Sequence, residues 1–204
     1  EALASLGYVA FAVDMLGAGR ALWDGAEAKT ARAPLYEDRR LLRSRMQAAL
    51  TAASADSFAQ ALGPNVALDL DRVAAVGYCF GGLCVLDLAR GNAPGLRGVV
   101  SFHGILDGGG LPDPETDALR PRILVHNGDA DPFVPPDKRE QFLAEMGRRH
   151  APLEFVSHPG ARHGFTRPEK VQPADFAAGF GYDPQADAAS WGSMKAFLAD
   201  VLQP

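Results

Sequence analysis

Between Gly77 and Gly81 the chain reads Gly-Tyr-Cys-Phe-Gly, with an apolar run, "RVAAV", before it and another, "LCVLDLA", after it. G-x-C-x-G has the form of the nucleophile elbow G-x-S-x-G, with sulfur in place of oxygen. On such an elbow one residue is held in a strained backbone conformation, and its side chain stands above the edge of a sheet. Side chains two positions to either side would crowd the strand–helix crossing, so glycine is expected at both. The helix that follows puts the positive end of its dipole under the sulfur, which favours the reactive thiolate. Cys79 is therefore the candidate nucleophile. Glycine-flanked cysteines also occur in ordinary strand–helix turns, so the pentapeptide alone leaves both readings open. Cys84 lies inside the apolar helix and reads as a buried structural thiol.

A thiol nucleophile needs a base, and the base needs an orienting acid. In an α/β-hydrolase these follow in the order nucleophile, acid, histidine. The segment "HNGDADPFVP" places Asp129 and Asp131 at the end of one apolar run, and "GARHGFTRP" places His163 after the last. Each candidate thus lies just past a predicted strand, in the required order, and the spacing leaves both aspartates open. His103 ends a predicted strand on the same edge and is placed to line a pocket. His126, within a strand, and His150, at a helix end, read as structural, and His158 fits either role. No HExxH or similar metal spacing is present, so no metal or cofactor is expected.

The elements that must position these groups alternate. Five near-continuous apolar runs read as strands covered on both faces: Tyr8–Asp14, Arg72–Tyr78, Gly98–Gly104, Arg122–Gly128 and Leu153–Pro159. Helical patterns lie between them. "YEDRRLLRSRMQAALTAA" carries Leu42, Met46, Ala49 and Leu50 at helical spacing, and "GGLCVLDLAR" follows the cysteine. "DKREQFLAEMGRR" opens with a capping box of Asp137 and Glu140. The last helix has Asp183 as cap, Pro184 at its first position, and a core stripe of Trp191, Met194, Leu198 and Val201. Strand alternating with helix implies an α/β fold with a mostly parallel sheet and helices on both faces. Long loops, "ILDGGGLPDPETDALRP" and "TRPEKVQPADFAAGFGY", follow the carboxyl ends of strands, where such folds bind ligands.

With 204 residues, 47% of them apolar and 22% charged, one domain spanning 1–204 with a sizeable core is expected. A net charge of −5 excludes the basic footprint of a nucleic-acid binder. No run is long enough for a membrane span. The two cysteines exclude a disulfide framework and point to a reducing cytoplasm.

"GYCFGG", "GDADPFVP" and "HGFTRP" together resemble, in order and spacing, the dienelactone hydrolase family of cysteine-dependent α/β-hydrolases, and the likeness runs from "LGYVAFAVDMLG" to "WGSMKAFL". The resemblance implies Cys79 as nucleophile, His163 as base and Asp131, rather than Asp129, as acid. It gives Phe80 an oxyanion-binding backbone N–H. It places Arg167 where the family binds a substrate carboxylate, with Arg39, Arg40 and Arg43 as candidates for a second such arginine. The implied activity is hydrolysis of a small, carboxylate-bearing ester or lactone through a thioester. The rivals are a ligand-binding protein without catalysis and a cysteine peptidase. "EALASL" reads as the end of a helix stopped by Gly7, so the family's N-terminal strands are expected to be missing, along with one between Tyr8–Asp14 and Arg72–Tyr78. Such a gap of about 9.6 Å, two strand spacings, could not be bridged by hydrogen bonds, so poor solubility and low activity are expected of the chain by itself.

Overall fold

The computed structural model describes residues 1–19, 22, 25–63, 66, 68–110 and 118–203, except for the side chains of residues 56 and 57. They fall into two compact units, Glu1–Leu70 and Asp71–Pro204.

The first unit is helical. A single 3-10 turn, Ala4–Leu6, stops at Gly7, whose φ of 90° is the left-handed conformation that glycine allows. Helices α1 (Gly25–Glu37), α2 (Arg39–Ala53) and α3 (Asp56–Leu62) follow. The Asp38 carboxylate starts α2 by accepting the N–H groups of Arg40 and Leu41. Arg39 and Arg43 are one helical turn apart on α2, Arg39 buried and Arg43 half-buried, whereas Arg40 is exposed. The expected strand at Tyr8–Asp14 does not form. This stretch is irregular, and Val9, Phe11 and Val13 are 42%, 44% and 37% exposed. An apolar run becomes a strand only where a neighbour takes up its N–H and C=O groups. Among the described residues of this unit every regular element is a helix.

The second unit is built on a four-stranded parallel sheet in the order β1 (Val73–Tyr78), β2 (Leu96–Phe102), β3 (Arg122–Gly128) and β4 (Leu153–His158). The register aligns the strands' carboxyl ends: Tyr78 pairs with Phe102, Phe102 with His126, and Gly128 with His158. Helices α4 (Phe80–Arg90), α5 (Pro136–Arg148), α6 (Pro173–Ala177) and α7 (Pro184–Val201) complete it. Successive strand residues face opposite sides. Gly98 approaches Phe197 and Val201 of α7, whereas Ser101, three residues on, approaches Gly82 of α4. These two helices therefore cover opposite faces. At the two central strands, β2 and β3, both faces are dry, which is why Val99, Val100, Ile123, Leu124 and Val125 are all buried, whereas the edge strands β1 and β4 are mostly half-buried.

Two local expectations change. Helix α5 starts at Pro136, with Pro135 as its cap and no side-chain capping bond, so the Asp137–Glu140 capping box is absent. Proline's fixed φ starts the helix early, leaving Asp137 in the first turn, where its charge meets the dipole. The second long loop contains a helix, α6, with its own capping box between Gln172 and Asp175. Asp183 and Pro184 start α7 as expected. Residues 111–117 of the first long loop lie outside the described residues. Among the described residues no helix is long and apolar enough to cross a membrane.

Candidate active site

Cys79 sits between β1 and α4 with φ 53° and ψ −114°, a conformation that non-glycine residues avoid. A Cβ at Gly77 would lie 2.0 Å from the Gly81 carbonyl oxygen. One at Gly82 would lie 2.6 Å from Ser101 Oγ and 2.8 Å from Gly104 Cα. Gly81 itself faces open space, so the tight approaches fall at Gly77 and Gly82 rather than symmetrically about the cysteine. The half-buried Cys79 side chain stands at the start of α4. Phe80 is the first residue of that helix, which puts its backbone N–H at the positive end of the dipole, one residue past the sulfur.

Asp131 lies in the turn after β3, where its N–H donates to Gly128 O at 3.2 Å and its own carbonyl accepts from Val134 at 3.2 Å. Its carboxylate is buried and used on both sides. Oδ1 accepts the Phe133 backbone N–H at 2.8 Å, and Oδ2 lies 2.8 Å from His163 Nδ1. Asp129 is exposed, and its Oδ1 accepts the Gly160 N–H at 2.5 Å, which ties two turns together. The spacing left these two aspartates open; the hydrogen bonds bring Asp131 to His163 and keep Asp129 on the turn.

His163 completes the line: Nε2 lies 3.0 Å from Cys79 Sγ. With Nδ1–H donated to the carboxylate, Nε2 is the nitrogen placed to exchange a proton with the thiol. Burial acts to lower the His163 pKa. The hydrogen bonds to Asp131 and Cys79, with the charges of both, outweigh it and hold the value up at about 9. Three rings meet the imidazole edge-on: Phe133 at 5.0 Å, His103 at 5.1 Å and Phe180 at 5.2 Å between centroids.

His103 leaves β2 with φ 38° and is 1% exposed, so it stands behind His163. Its Nε2 is 2.9 Å from Thr166 Oγ1, and its Nδ1 has no partner among the described residues. Burial, and then the charge of His163, push its pKa down to about 3. Arg167 is exposed and already holds a carboxylate: its Nε donates to Glu169 Oε1 at 2.7 Å. His126 and His158 form a buried pair, Nδ1 to Nε2, at 3.1 Å. Among the described residues no three His, Cys, Asp or Glu side chains are grouped to hold a metal ion.

Phe133, Thr166 and Phe180 did not emerge from the sequence. "GFGY", an aromatic residue between two glycines downstream of the histidine, was the available signal for Phe180.

A line of carboxylate, imidazole and thiol at one sheet edge can carry a proton away from sulfur and return it to a leaving group. Comparison with known proteins agrees in kind. The family model for the dienelactone hydrolase family matches residues 1–202. An uncharacterized protein of Caenorhabditis elegans is 38% identical over 162 residues, 79% of this chain and 94% of its own. A probable 2-oxo-3-(5-oxofuran-2-ylidene)propanoate lactonase of a Bradyrhizobium species is 27% identical over 150 residues, 70% of this chain and 56% of its own. A solved dienelactone hydrolase-like promiscuous phosphotriesterase from metagenomic libraries superposes with a TM-score of 0.82 at 33% identity, covering 99% of this chain and 78% of that one. With its parallel sheet, covered on both faces, the chain has the α/β-hydrolase fold, and it belongs to the dienelactone hydrolase family as a hydrolase of the ester- and lactone-cleaving type.

Proposed function

We propose that the chain hydrolyses a small ester or lactone by covalent catalysis at Cys79, with His163 as base and Asp131 as its orienting acid. The unbroken line Asp131–His163–Cys79, with contacts of 2.8 and 3.0 Å, carries this reading. His163 Nε2 takes the thiol proton, and the thiolate attacks the carbonyl carbon. A C–S bond forms, and the carbonyl electron pair moves to oxygen, to which the Phe80 N–H donates. Collapse restores the C=O and breaks the C–O bond, and the departing alkoxide takes the proton from His163. In a lactone that alkoxide stays tethered to the acyl group. Water, deprotonated by His163, then displaces Cys79 from the thioester and releases the acid.

Arg167 supports a carboxylate-bearing substrate, which would exchange with Glu169 at an exposed guanidinium. The reaction needs a reduced Cys79, which fits a reducing compartment such as the cytoplasm. A neutral aryl phosphotriester is a second substrate to test, because the 33% identical neighbour is a promiscuous phosphotriesterase.

The test is turnover of nitrophenyl esters, lactones and an aryl phosphotriester by the wild type and Cys79→Ala, with mass spectrometry of the quenched wild type. An acyl adduct on the Cys79 peptide, and no turnover by the variant, are expected. Turnover surviving in Cys79→Ala would overturn the proposal. Ligand binding with no turnover of any substrate would favour the binding-protein alternative, and preference for amides over esters would favour a peptidase.

A further inference from the structure

The loop that carries His163 is clamped by a second segment, Gly179-Phe180-Gly181. The two run parallel through a single β-bridge: the His163 N–H donates to Gly179 O at 3.2 Å, and the Gly181 N–H donates to His163 O at 3.1 Å. A side chain would be crowded at both glycines. Gly179 has φ 89°, and a Cβ there would lie 2.4 Å from Pro132 Cγ, beside the Asp131 turn. A Cβ at Gly181 would lie 2.9 Å from the Phe176 ring. The segment therefore threads between the turn that presents the acid and the loop that presents the base. Its backbone continues the clamp, with the Tyr182 N–H on Lys170 O at 2.8 Å and the Asp183 N–H on Phe165 O at 3.0 Å.

Phe180, held between those glycines, turns its ring to His163. The ring is fixed in its own right: Phe133 lies 5.5 Å away, and the Lys170 ammonium, anchored by Asp175 at 2.8 Å, sits 5.3 Å from the centroid. An imidazole has to hold two hydrogen bonds at once, one from each nitrogen, and small rotations break one or both. Rings packed edge-on restrict those rotations without competing for either nitrogen.

We propose that Phe180 is a positioning residue for the hydrolysis, the removable wall of a three-ring cage that keeps His163 on Asp131 and Cys79 together. The inference rests on the base role proposed for His163. The Phe180 ring meets the His163 ring, so its removal acts through the angle and freedom of that imidazole.

The experiment compares the wild type with Phe180→Ala, Phe180→Leu, Gly179→Ala and His163→Ala on one aryl ester. It reads kcat, KM and the pH profile of Cys79 alkylation by iodoacetamide. A misplacement on the order of 1 Å costs up to about 100-fold in rate. Phe180→Ala should accordingly lower kcat by about 10- to 100-fold with KM little changed. Its alkylation profile should move toward that of an ordinary thiol, because the imidazole no longer stays on the sulfur. Phe180→Leu, which keeps bulk but not the planar ring, should fall in between, and it decides the matter if Phe180→Ala does not fold. Gly179→Ala should show the same pattern from the other end of the clip. A folded Phe180→Ala or Phe180→Leu with wild-type kcat and alkylation profile would overturn the proposal. If His163→Ala itself retained turnover, the base assignment would fall instead, so the two failures are distinct.

Discussion

Replacing Asp131 by Asn tests the site most sharply, because the surrounding hydrogen bonds dictate which way the amide must face. In the native site Oδ1 accepts the Phe133 backbone N–H and Oδ2 meets His163 Nδ1. The Phe133 N–H is a fixed donor and needs an acceptor, so the asparagine oxygen has to stay on that side. Its NH₂ then points at His163 and donates to Nδ1. The imidazole is forced into the tautomer with Nε2–H, which has no lone pair for the Cys79 proton. For a hydroxyl nucleophile this wrong-tautomer penalty is about 10⁴ in kcat, or about 5 kcal/mol of barrier. A thiol ionises more readily, so here the deficit should depend on pH. An unassisted thiol of ordinary acidity is about 3% ionised at pH 7 and half ionised at pH 8.5. The variant should therefore lose about 10²- to 10⁴-fold at pH 7 and recover about 15-fold by pH 8.5. The assay is kcat/KM on an aryl ester across that range, with Asp129→Asn as comparison. Asp129 caps the Gly160 N–H on an exposed turn, so its replacement should cost less than about tenfold. Asp131→Asn within tenfold of wild type, or a reversed ranking of the two variants, would refute the assignment of the acid.

Cys84 is buried in α4, so Cys84→Ala should keep most of the turnover and lower stability, whereas Cys79→Ala should abolish turnover and keep the fold; thermal melts and ester hydrolysis separate the two. Gly77→Ala would drive a Cβ into the Gly81 carbonyl, so it should abolish both turnover and low-pH alkylation of Cys79, and normal alkylation would refute the elbow geometry. Burial, followed by the neighbouring His158, pushes the His126 pKa from 6.5 down to about 4. The unfolded chain takes up that proton first, so this contribution is complete above pH 6.5 and is lost as the pH falls toward 4. It amounts to about 3 kcal/mol, and urea midpoints at pH 7 and 4.5 should show a steeper loss in the wild type than in His126→Gln.

The four strands of the sheet were legible because a parallel sheet covered on both faces demands near-continuous apolar runs, and each run was visible. Tyr8–Asp14 shows the limit of that signal. Its sequence is as apolar as β1, but apolarity reports what a segment would bury and not whether a neighbour is there to pair with it. The elbow was legible as a motif, while its sterics were not: Gly81 lies in the pattern and meets nothing, and Gly82 lies outside it and meets the backbone of Gly104. Asp129 and Asp131 are equivalent by spacing and differ only through the Phe133 N–H and the His163 ring, which are tertiary facts. The cage about His163 draws Phe133 and Phe180 from segments more than forty residues apart. No local periodicity records such a meeting.

The register of the site is the register of the sheet, carried one step further. Cys79, His103 and Asp129 are each the first residue past a strand, and each donates its N–H to a carbonyl near the carboxyl end of the next strand: Phe102 at 3.0 Å, His126 at 2.8 Å and His158 at 3.1 Å. The ladder thus runs one bond into the loops before the chain turns away. Cys79 and His103 make that turn in the left-handed region, with φ of 53° and 38°, at a cost of about 1–3 kcal/mol each. The strain persists because the neighbouring strand holds the N–H while α4 packs against the β2 end through Gly82 and Gly104 with no room for a side chain. The sulfur, the ring behind the imidazole and the start of the acid-bearing turn are therefore set at one level by three backbone hydrogen bonds. Loosening the end of β2 would shift the two ends of the proton path relative to each other without touching Cys79, Asp131 or His163.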